Sequence, residues 1–416
     1  MKGKNSLKPW IMFVCMLLLQ GGATGVIMNC NGILFAAIKA EMGFRAGDLS
    51  VYYMLRSLTS AAAITFTTAL VFGKKPRVVL CTLNAVFTLS FAAMCLFNRL
   101  WQWYIAAILA GIGTSCNGVL IPVVLNNWFH KNNGLVIGVT MSASGIFGAL
   151  FSPIVSGLIA SFGWRQAALI MGLTAFAMTV LPSLFCLYLT PEEIGEKALG
   201  DEEMQKSAAG KDTGAGSQIS AAAAPVPGYI FWFALAVFTL IGSQVQFASQ
   251  LSTFTDSIGL GIAAGATLNS ILMVGNLSGK VILGFLADRI GIYRSLIGFS
   301  IVIGIGMLLY LLGSLTASMV LLSIGSILFG LSYAVGATGT SLVLLDIYGR
   351  EIYKTRMSRL TAINTLFSAG LSVVFPYIYD FTGSFNPVFI YSIAASLIAL
   401  AVLTRLYAFS KAKAAA

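Results

Sequence analysis

The sequence predicts an all-α membrane protein with 12 transmembrane helices in two six-helix halves, and three observations lead to this fold class. First, 58% of the 416 residues are hydrophobic and only 9% are charged, whereas a soluble domain carries about 25% charged residues. Second, apolar residues form stretches of about 20, the length at which a helix crosses a bilayer. Third, F-G-W-R-Q-A-A-L at 162–169 is echoed by F-T-G-S-F-N-P-V-F at 381–389, as in folds built from two repeats.

Each half contains six apolar stretches long enough to span the membrane. Those of the first half lie at about 10–33 (with an extension to residue 40), 50–72, 78–97, 103–126, 139–160 and 170–189. Those of the second half lie at about 228–254, 265–287, 295–313, 317–342, 357–379 and 387–409.

Residues 191–227 differ in composition from both halves. They hold seven of the 14 acidic residues, together with glycine, serine and an alanine–proline tail. Such a segment cannot bury enough apolar surface to form a packed core, so we expect a flexible, solvated linker. The predicted domains are therefore a first half at 1–190, the linker at 191–227 and a second half at 228–416.

The lysine and arginine residues predict the orientation in the membrane. With the N-terminus inside, 19 of the 25 fall in inner segments and four in outer segments, and the other two are embedded. Because cytoplasmic loops carry the excess of Lys and Arg, we expect both termini and the linker in the cytoplasm. Scattered between apolar spans, the basic residues do not predict nucleic-acid binding.

The two embedded charges are both cationic, and no acidic residue lies deep in a span. Lys280 lies about 10 Å inside the inner end of span 8, and Arg56 about 10 Å from the outer end of span 2. Embedded charges cost on the order of 2.5–3.5 kcal/mol and often mark a substrate path, and two cations favour an anionic ligand. Alternatively, Lys280 extends its ammonium to the inner surface, and Arg56 reaches outer water.

The residue types that build metal and hydrolytic sites are scarce. The chain has a single histidine, His130, and six cysteines, all in apolar stretches of the first half and none with C-x-x-C spacing. A disulfide framework and a zinc site are therefore not indicated. We expect no metal, no cofactor and no enzymatic activity.

Several motifs resemble the major facilitator superfamily. W-F-H-K-N-N-G-L-V-I-G at 128–138, G-W-R at 163–165 and G-K-V-I-L-G-F-L-A-D-R-I-G at 279–291 look like its monocarboxylate porter and oxalate–formate antiporter branch. The charged turn after span 8 resembles the superfamily signature between helices 2–3 and 8–9, which implies a gating role for Gly284, Asp288, Arg289, Gly291 and Arg294.

The resemblance implies a major facilitator fold and alternating-access transport of a small organic anion, a monocarboxylate or dicarboxylate, across the plasma membrane. Lys280 matches a basic residue that binds the substrate carboxylate in this branch. Substrate lies near the midplane between the halves in such transporters. Around Lys280 and Arg56 we therefore expect a polar lining, each member of which has helix–helix hydrogen bonding as its alternative role: Asn29, Asn117, Gln244, Gln246, Asn276, Tyr333, Asn364 and Ser368.

Three departures from the branch limit what the resemblance implies. Asn276 stands where proton-coupled porters have an aspartate, four residues before the basic residue, so exchange or uniport is favoured over proton symport. Asn364 stands where the oxalate–formate type has a second lysine, so a dianion would need Arg56 as its second cation. The first-half turn is reduced to G-K-K-P-R at 73–77, without the Asp-Arg pair.

Two other functions stay open. An exporter of neutral or anionic drugs or amphiphiles would use the same fold, because the missing embedded carboxylate argues only against cationic drugs. A receptor or sensor would be expected to carry a folded soluble domain, and the largest polar segment here is the linker. We expect a single chain to function as a monomer in the lipid bilayer, because each half completes the cavity of the other.

Overall fold

The computed structural model describes residues 7–71, 73, 75–129, 133–196, 198–199 and 228–415, and this part of the chain is almost entirely helical. Ten helical stretches are long and apolar enough to cross a membrane. One of them, Val136–Cys186, has 51 residues and contains two crossings, and the shorter apolar helix Met319–Leu331 completes the twelve. The predicted all-α membrane fold is therefore confirmed.

The helices of the first half follow the predicted spans closely. They are α1 (Lys8–Met42), α2 (Ala46–Val71), α3 (Pro76–Leu96), α4 (Leu100–Trp128), α5 (133–162) and α6 (164–186). The break between α5 and α6 falls at Gly163, whose φ of 78° and ψ of 164° lie in a region that glycine adopts readily. A π-helical segment, Gly21–Met28, interrupts α1 near its middle.

The second half differs from the prediction between spans 10 and 11. Its helices are α7 (Gly228–Ser257), α8 (Gly261–Ile290), α9 (Ile292–Thr316), α10 (Met319–Ala334, continued by the π-helical Val335–Gly339), α11 (Thr340–Thr382) and α12 (Asn386–Ala415). The expected inner loop before residue 357 is thus helical. The reason is its amphipathic spacing, since Val343, Leu344, Ile347 and Tyr348 are all buried.

The first part of the predicted linker is also more ordered than expected. Pro191–Ile194 form a short 3₁₀ helix, and the backbone N–H of Leu199 donates to the carbonyl of Trp128 at 2.9 Å. The Glu196 carboxylate lies 3.1 Å from the Lys8 ammonium. Residues 191–196 and 198–199 therefore pack against the inner ends of α1 and α4. The remainder of the linker, 200–227, lies outside the described residues.

The hydrophobic clusters show where the two halves meet. We use "inner" for the side on which both termini are predicted to lie and "outer" for the opposite side. The two clusters at the inner side each draw all their described members from one half. The two outer clusters each include residues of the other half, Ala266 in one case and Ala149 in the other. The halves therefore pack together through their outer parts.

Candidate functional site

Lys280 lies on a face of α8 that points away from the lipid. The exposed apolar ridge of α8 consists of Val274, Val281 and Phe285, each more than half exposed. Successive residues of a helix are rotated by about 100° around its axis, so Lys280 is rotated by about 100° to 140° from each residue of this ridge. Its half-buried side chain is therefore directed into the bundle.

Close helix contacts flank Lys280 on both sides. Toward α10, a Cβ added to Gly279 would lie only 2.5 Å from the carbonyl oxygen of Leu331. Toward α5, a Cβ on Gly145 would lie 3.2 Å from the Met273 oxygen and 3.7 Å from Leu277. Lys280 follows Leu277 by three residues, about 4.5 Å further inward. It therefore lies between α5 and α10, just below the close contact of the two halves.

The ammonium of Lys280 has no hydrogen bond or ion pair with any residue that the structure describes. One turn earlier on the same face is Asn276, which is 5% exposed. Among the described residues, its Oδ1 is buried without a hydrogen-bond partner, and its amide nitrogen contacts only the Met273 sulfur, at 3.9 Å. A half-buried cation without a described partner can accept an anionic group, because a buried charge is stable only when it is paired.

Arg56 and Asn364 supply further polar atoms that lack partners. The Nε of Arg56 and the Oδ1 of Asn364 are both buried and make no hydrogen bond with a described residue. Arg56 follows the buried Leu49 by seven residues and the buried Tyr53 by three, so it shares the buried face of α2. Asn364 faces α7, where a Cβ on Gly242 would lie 3.1 Å from its Oδ1. Both side chains point into the protein.

Four of the expected lining residues make helix–helix hydrogen bonds, which is the alternative role that the sequence left open. The donors and acceptors are Asn29 Nδ2 to Ser144 O (2.9 Å), Asn117 Nδ2 to Asn84 Oδ1 (3.1 Å), Gln244 Nε2 to Ser396 Oγ (3.2 Å) and Tyr333 OH to Val245 O (3.5 Å). The side chains of Gln246 and Ser368 are half-buried and make no hydrogen bond with the described residues. A ligand role for these six stays a prediction.

The charged turn after α8 makes its described contacts within the second half. Gly291 has a φ of 93°, which favours glycine where α8 gives way to α9. The Arg289 guanidinium lies over the Phe285 ring at 4.4 Å, and Arg294 is exposed. A Cβ on Gly284 would meet nothing within 4 Å, and the Asp288 side chain lies outside the described residues. The gating role of the turn stays a prediction.

The outer ends of α2 and α11 are joined by a set of hydrogen bonds that the sequence did not predict. The Asp380 carboxylate accepts the backbone N–H groups of Ala46 (3.1 Å) and Gly47 (2.6 Å), and the Tyr377 hydroxyl donates to Asp48 Oδ1 at 2.6 Å. The first N–H groups of a helix have no intrahelical acceptor, so a carboxylate of the second half caps a helix of the first. These five residues form the outer seal.

Further hydrogen bonds join the halves between the outer seal and the middle of the bundle. Gln250 Nε2 donates to Ser50 Oγ at 3.1 Å. Deeper in the bundle, Asn269 Nδ2 donates to the Asn29 carbonyl at 2.9 Å and to Ser152 Oγ at 2.7 Å. Lys280 lies inward of every hydrogen bond that described residues make between the halves. The structure is thus closed on the outer side.

Twelve membrane-spanning helices in two halves, closed together on one side of a polar centre, define a membrane transport protein. Residues 13–335 match the sequence profile of the Major Facilitator Superfamily. The chain therefore belongs to this superfamily, as its motifs predicted.

Curated relatives and solved structures agree with this assignment. The chain is 25% identical over 315 residues to monocarboxylate transporter 12-B of Danio rerio, covering 71% of this chain and 66% of that one. It is 25% identical over 234 residues to the MFS-type transporter pynF of Aspergillus niger, covering 54% and 48%. The matches thus span about half to two thirds of these relatives. The nucleoside transporter NupG has the same fold, with a TM-score of 0.73 at 12% identity over 97% of this chain and 99% of that one.

Proposed function

We propose that this chain is a secondary active transporter of a small organic anion, a monocarboxylate or dicarboxylate, working by alternating access. The observation that carries the proposal is Lys280, a half-buried lysine without a described partner, directed into the bundle just below the contact of the two halves. A substrate carboxylate would complete its electrostatic environment. A monocarboxylate transporter among the relatives supports the same substrate class.

The proposed mechanism follows from the closure of the outer side. In this state the anion on Lys280 exchanges with the inner side, while the outer seal excludes outer water. Rocking of the halves would open the outer seal and close the inner ends, which exposes the same site to the outside. We place the protein in the plasma membrane as a monomer, with both termini and the linker in the cytoplasm.

The residue that bears on proton coupling is Asn276, one turn from Lys280. An amide does not titrate, so the residue one turn from Lys280 cannot carry a proton with the substrate. Exchange or uniport therefore fits the site better than proton symport. The charge of a bound monocarboxylate would be neutralised by Lys280.

An exporter of neutral or anionic amphiphiles is the second candidate, because one feature of the surface favours it. A groove of about 520 Å³ between α1 and α6 is lined almost wholly by apolar side chains, among them Trp10, Val14, Leu181 and Phe185. An amphiphile dissolved in the membrane would find an apolar surface there. This candidate predicts transport that does not depend on Lys280.

Flux and thermal stability of the purified protein distinguish the two candidates. We would measure lactate and oxalate uptake into proteoliposomes, and the melting temperature with lactate, oxalate, putrescine and glucose. A ligand that binds only the folded state stabilises it by about 2.7 kcal/mol at a hundredfold excess over Kd. We expect stabilisation by the carboxylates alone, because the amine and the sugar cannot pair with the ammonium.

Lys280→Ala is expected to abolish carboxylate flux and the carboxylate-dependent stabilisation while the melting temperature without ligand stays near that of the wild type. Lys75→Ala is the matched control, since Lys75 is an exposed lysine at the inner start of α3. Lys280→Arg keeps the charge and tests whether charge alone suffices. Unchanged carboxylate flux in Lys280→Ala would reject the anion site, and export of amphiphiles by that variant would support the second candidate.

A further inference from the structure

Two neighbouring side chains on α2 carry buried donor groups that bind none of the described residues. The Nε of Arg56 and the hydroxyl oxygen of Tyr53 are both buried and have no hydrogen-bond partner among the residues that the structure describes. They are three residues apart on one helix face. A buried donor without a partner is costly, so this pair is incomplete in the present state.

An aromatic cluster that includes Tyr53 separates Arg56 from the outer surface. The rings of Phe35, Tyr52 and Tyr53 pack against each other with centroid distances of 5.2, 5.4 and 5.8 Å. They lie outward of Arg56, because the chain of α2 runs from the outer to the inner side. Above them, Ser50 and Gln250 join the halves. Opening of the outer side would therefore expose Arg56 to the outer solution.

Arg56 and Lys280 lie at different depths. Arg56 is six residues, or about 9 Å, inward of Ser50 and of its partner Gln250. Gly32 packs against Ser249, the neighbour of Gln250, which puts Gly32 at the level of Ser50.

The depth of Lys280 follows from the same reference level. Asn29 is three residues inward of Gly32, and its carbonyl binds Asn269. Lys280 is eleven residues further inward on α8, so it lies about 21 Å below Gly32 in total. The two cations are thus separated in depth by on the order of 10 Å. One small carboxylate group cannot contact both at once with these helix positions.

We propose that Arg56 and Tyr53 form a second carboxylate-binding subsite, the outer subsite, which holds the anion when the outer side is open, while Lys280 holds it when the inner side is open. The inference rests on the function proposed above and assigns the two cations to opposite faces of the transport cycle. The anion passes from one half to the other as the halves rock.

The donor chemistry selects the ligand class. A guanidinium offers N–H groups in a planar fork that matches the two oxygens of a carboxylate, and a tyrosine hydroxyl donates one more hydrogen bond. Hydrogen-bond donors of this kind do not bind a cationic ligand, and a neutral amphiphile would not neutralise the charge of the guanidinium. A carboxylate is thus the fitting ligand.

The test measures KM separately at the two faces in vesicles of defined orientation, with lactate as a monoanion and oxalate as a dianion. Arg56→Gln is expected to raise the outer KM by roughly 10- to 100-fold, the range for a hydrogen bond to a charged group. The inner KM should change by less than about threefold, since Lys280 is retained. Arg99→Gln is the matched control, because it removes an exposed arginine from the outer side.

Tyr53→Phe is a second variant that tests the outer subsite even if Arg56→Gln does not fold. It removes a buried hydroxyl without a partner, so stability should not fall, and we expect the outer KM to rise by about 3- to 10-fold. Arg56→Lys should recover part of the outer affinity. A merely structural role would change both faces alike, so equal or absent effects on the two KM values would overturn the outer subsite.

If the proposed function is wrong, the measurements differ from those expected when only the outer subsite is wrong. If the wild type moves neither lactate nor oxalate, or if Lys280→Ala leaves both KM values unchanged, the anion function itself is rejected, and the outer subsite with it. If Lys280→Ala abolishes flux while Arg56→Gln and Tyr53→Phe leave the outer KM unchanged, only the outer subsite is rejected.

Discussion

The outer and inner ends of the helices differ in how their charged residues contact the opposite half. At the outer side, Asp380 of the second half binds Ala46 and Gly47 of the first. At the inner side, the described cations bind within their own half: Arg77 donates to the Leu187 carbonyl and lies over Tyr188 at 3.8 Å, and Arg356 lies over Phe231 and Tyr348 at 5.4 and 5.3 Å. Outer charges thus include contacts that join the halves, although Arg165 binds within the first half, whereas the described inner charges brace each half separately.

This difference indicates which contacts determine the free energy of the outer-closed state relative to the outer-open state. The bonds within each half persist when the halves move, so they contribute equally to both states. Only contacts between the halves change, and among the described residues these lie from the middle of the bundle to the outer seal. A few outer residues should therefore set the balance between the two states.

The largest effect is expected at Gly32, where α1 meets α7 most closely. A Cβ on Gly32 would lie 2.2 Å from the Ser249 carbonyl oxygen, and backbone atoms cannot rotate away from such a clash. Gly32→Ala should therefore force the outer ends apart and abolish transport. Gly118→Ala is the matched control, because a Cβ there would meet nothing within 4 Å.

The outer separation can be measured by pulsed electron paramagnetic resonance. Spin labels would replace the exposed Arg45 and Thr382, after the partly exposed Cys95 and Cys186 are changed to serine. We expect a longer distance between the labels in Gly32→Ala than in Gly118→Ala. A distance equal to that of the parent, with transport retained, would contradict the importance of this contact.

Asp380 should have the next largest effect, because its carboxylate caps a helix of the opposite half. Loss of a helix cap costs about 0.5–2 kcal/mol, and the negative charge also interacts favourably with the N-terminus of α2. Asp380→Ala should raise the population with an open outer side, relative to the closed one, by up to about 30-fold. The label distances would report this as a larger fraction of long distances. Asp380→Asn, which keeps one acceptor oxygen, should shift them less.

The matched control for Asp380 is Asp256→Asn at the outer end of α7, where the carboxylate is exposed and makes no hydrogen bond with the described residues. An equal shift in Asp256→Asn would indicate that outer charge, rather than the cap itself, determines the balance.

The sequence predicted the parts of this molecule that depend on local properties. The spans follow from apolar length alone, and Lys280 was identifiable because a lysine inside an apolar stretch needs an explanation. The helical segment with Val343 and Ile347 was missed because a polar, amphipathic stretch resembles a loop when only long apolar runs are counted. Its buried face becomes evident only against the core of the second half.

The outer seal and the lining depend on tertiary structure and were less predictable. Asp380 and Ala46 are separated by 334 positions, and no local pattern relates a carboxylate to the free N–H groups of a distant helix. The same limit holds for the polar residues. Asn117 is bonded to Asn84, whereas the Asn276 oxygen has no partner among the described residues, yet both asparagines lie within apolar stretches.

The smallest effect is expected from Tyr377→Phe. The aromatic ring lies against Gly47, where an added Cβ would lie 2.4 Å from the ring, and phenylalanine keeps this packing. Only the hydroxyl bond to Asp48 is lost, which is worth about 0.5–1.5 kcal/mol, and the partly exposed Asp48 can bind water in its place. The label distances should therefore shift less than in Asp380→Ala.

Tyr407→Phe provides the control for Tyr377→Phe, because Tyr407 packs against Tyr293 at the inner side and its hydroxyl has no described hydrogen bond. It should leave the outer distance unchanged. If Tyr377→Phe shifted the distances as far as Asp380→Ala, the hydroxyl bond rather than the helix cap would hold the outer ends together. The ratio of the two shifts therefore measures how the outer seal divides its free energy between a charged cap and a single hydroxyl.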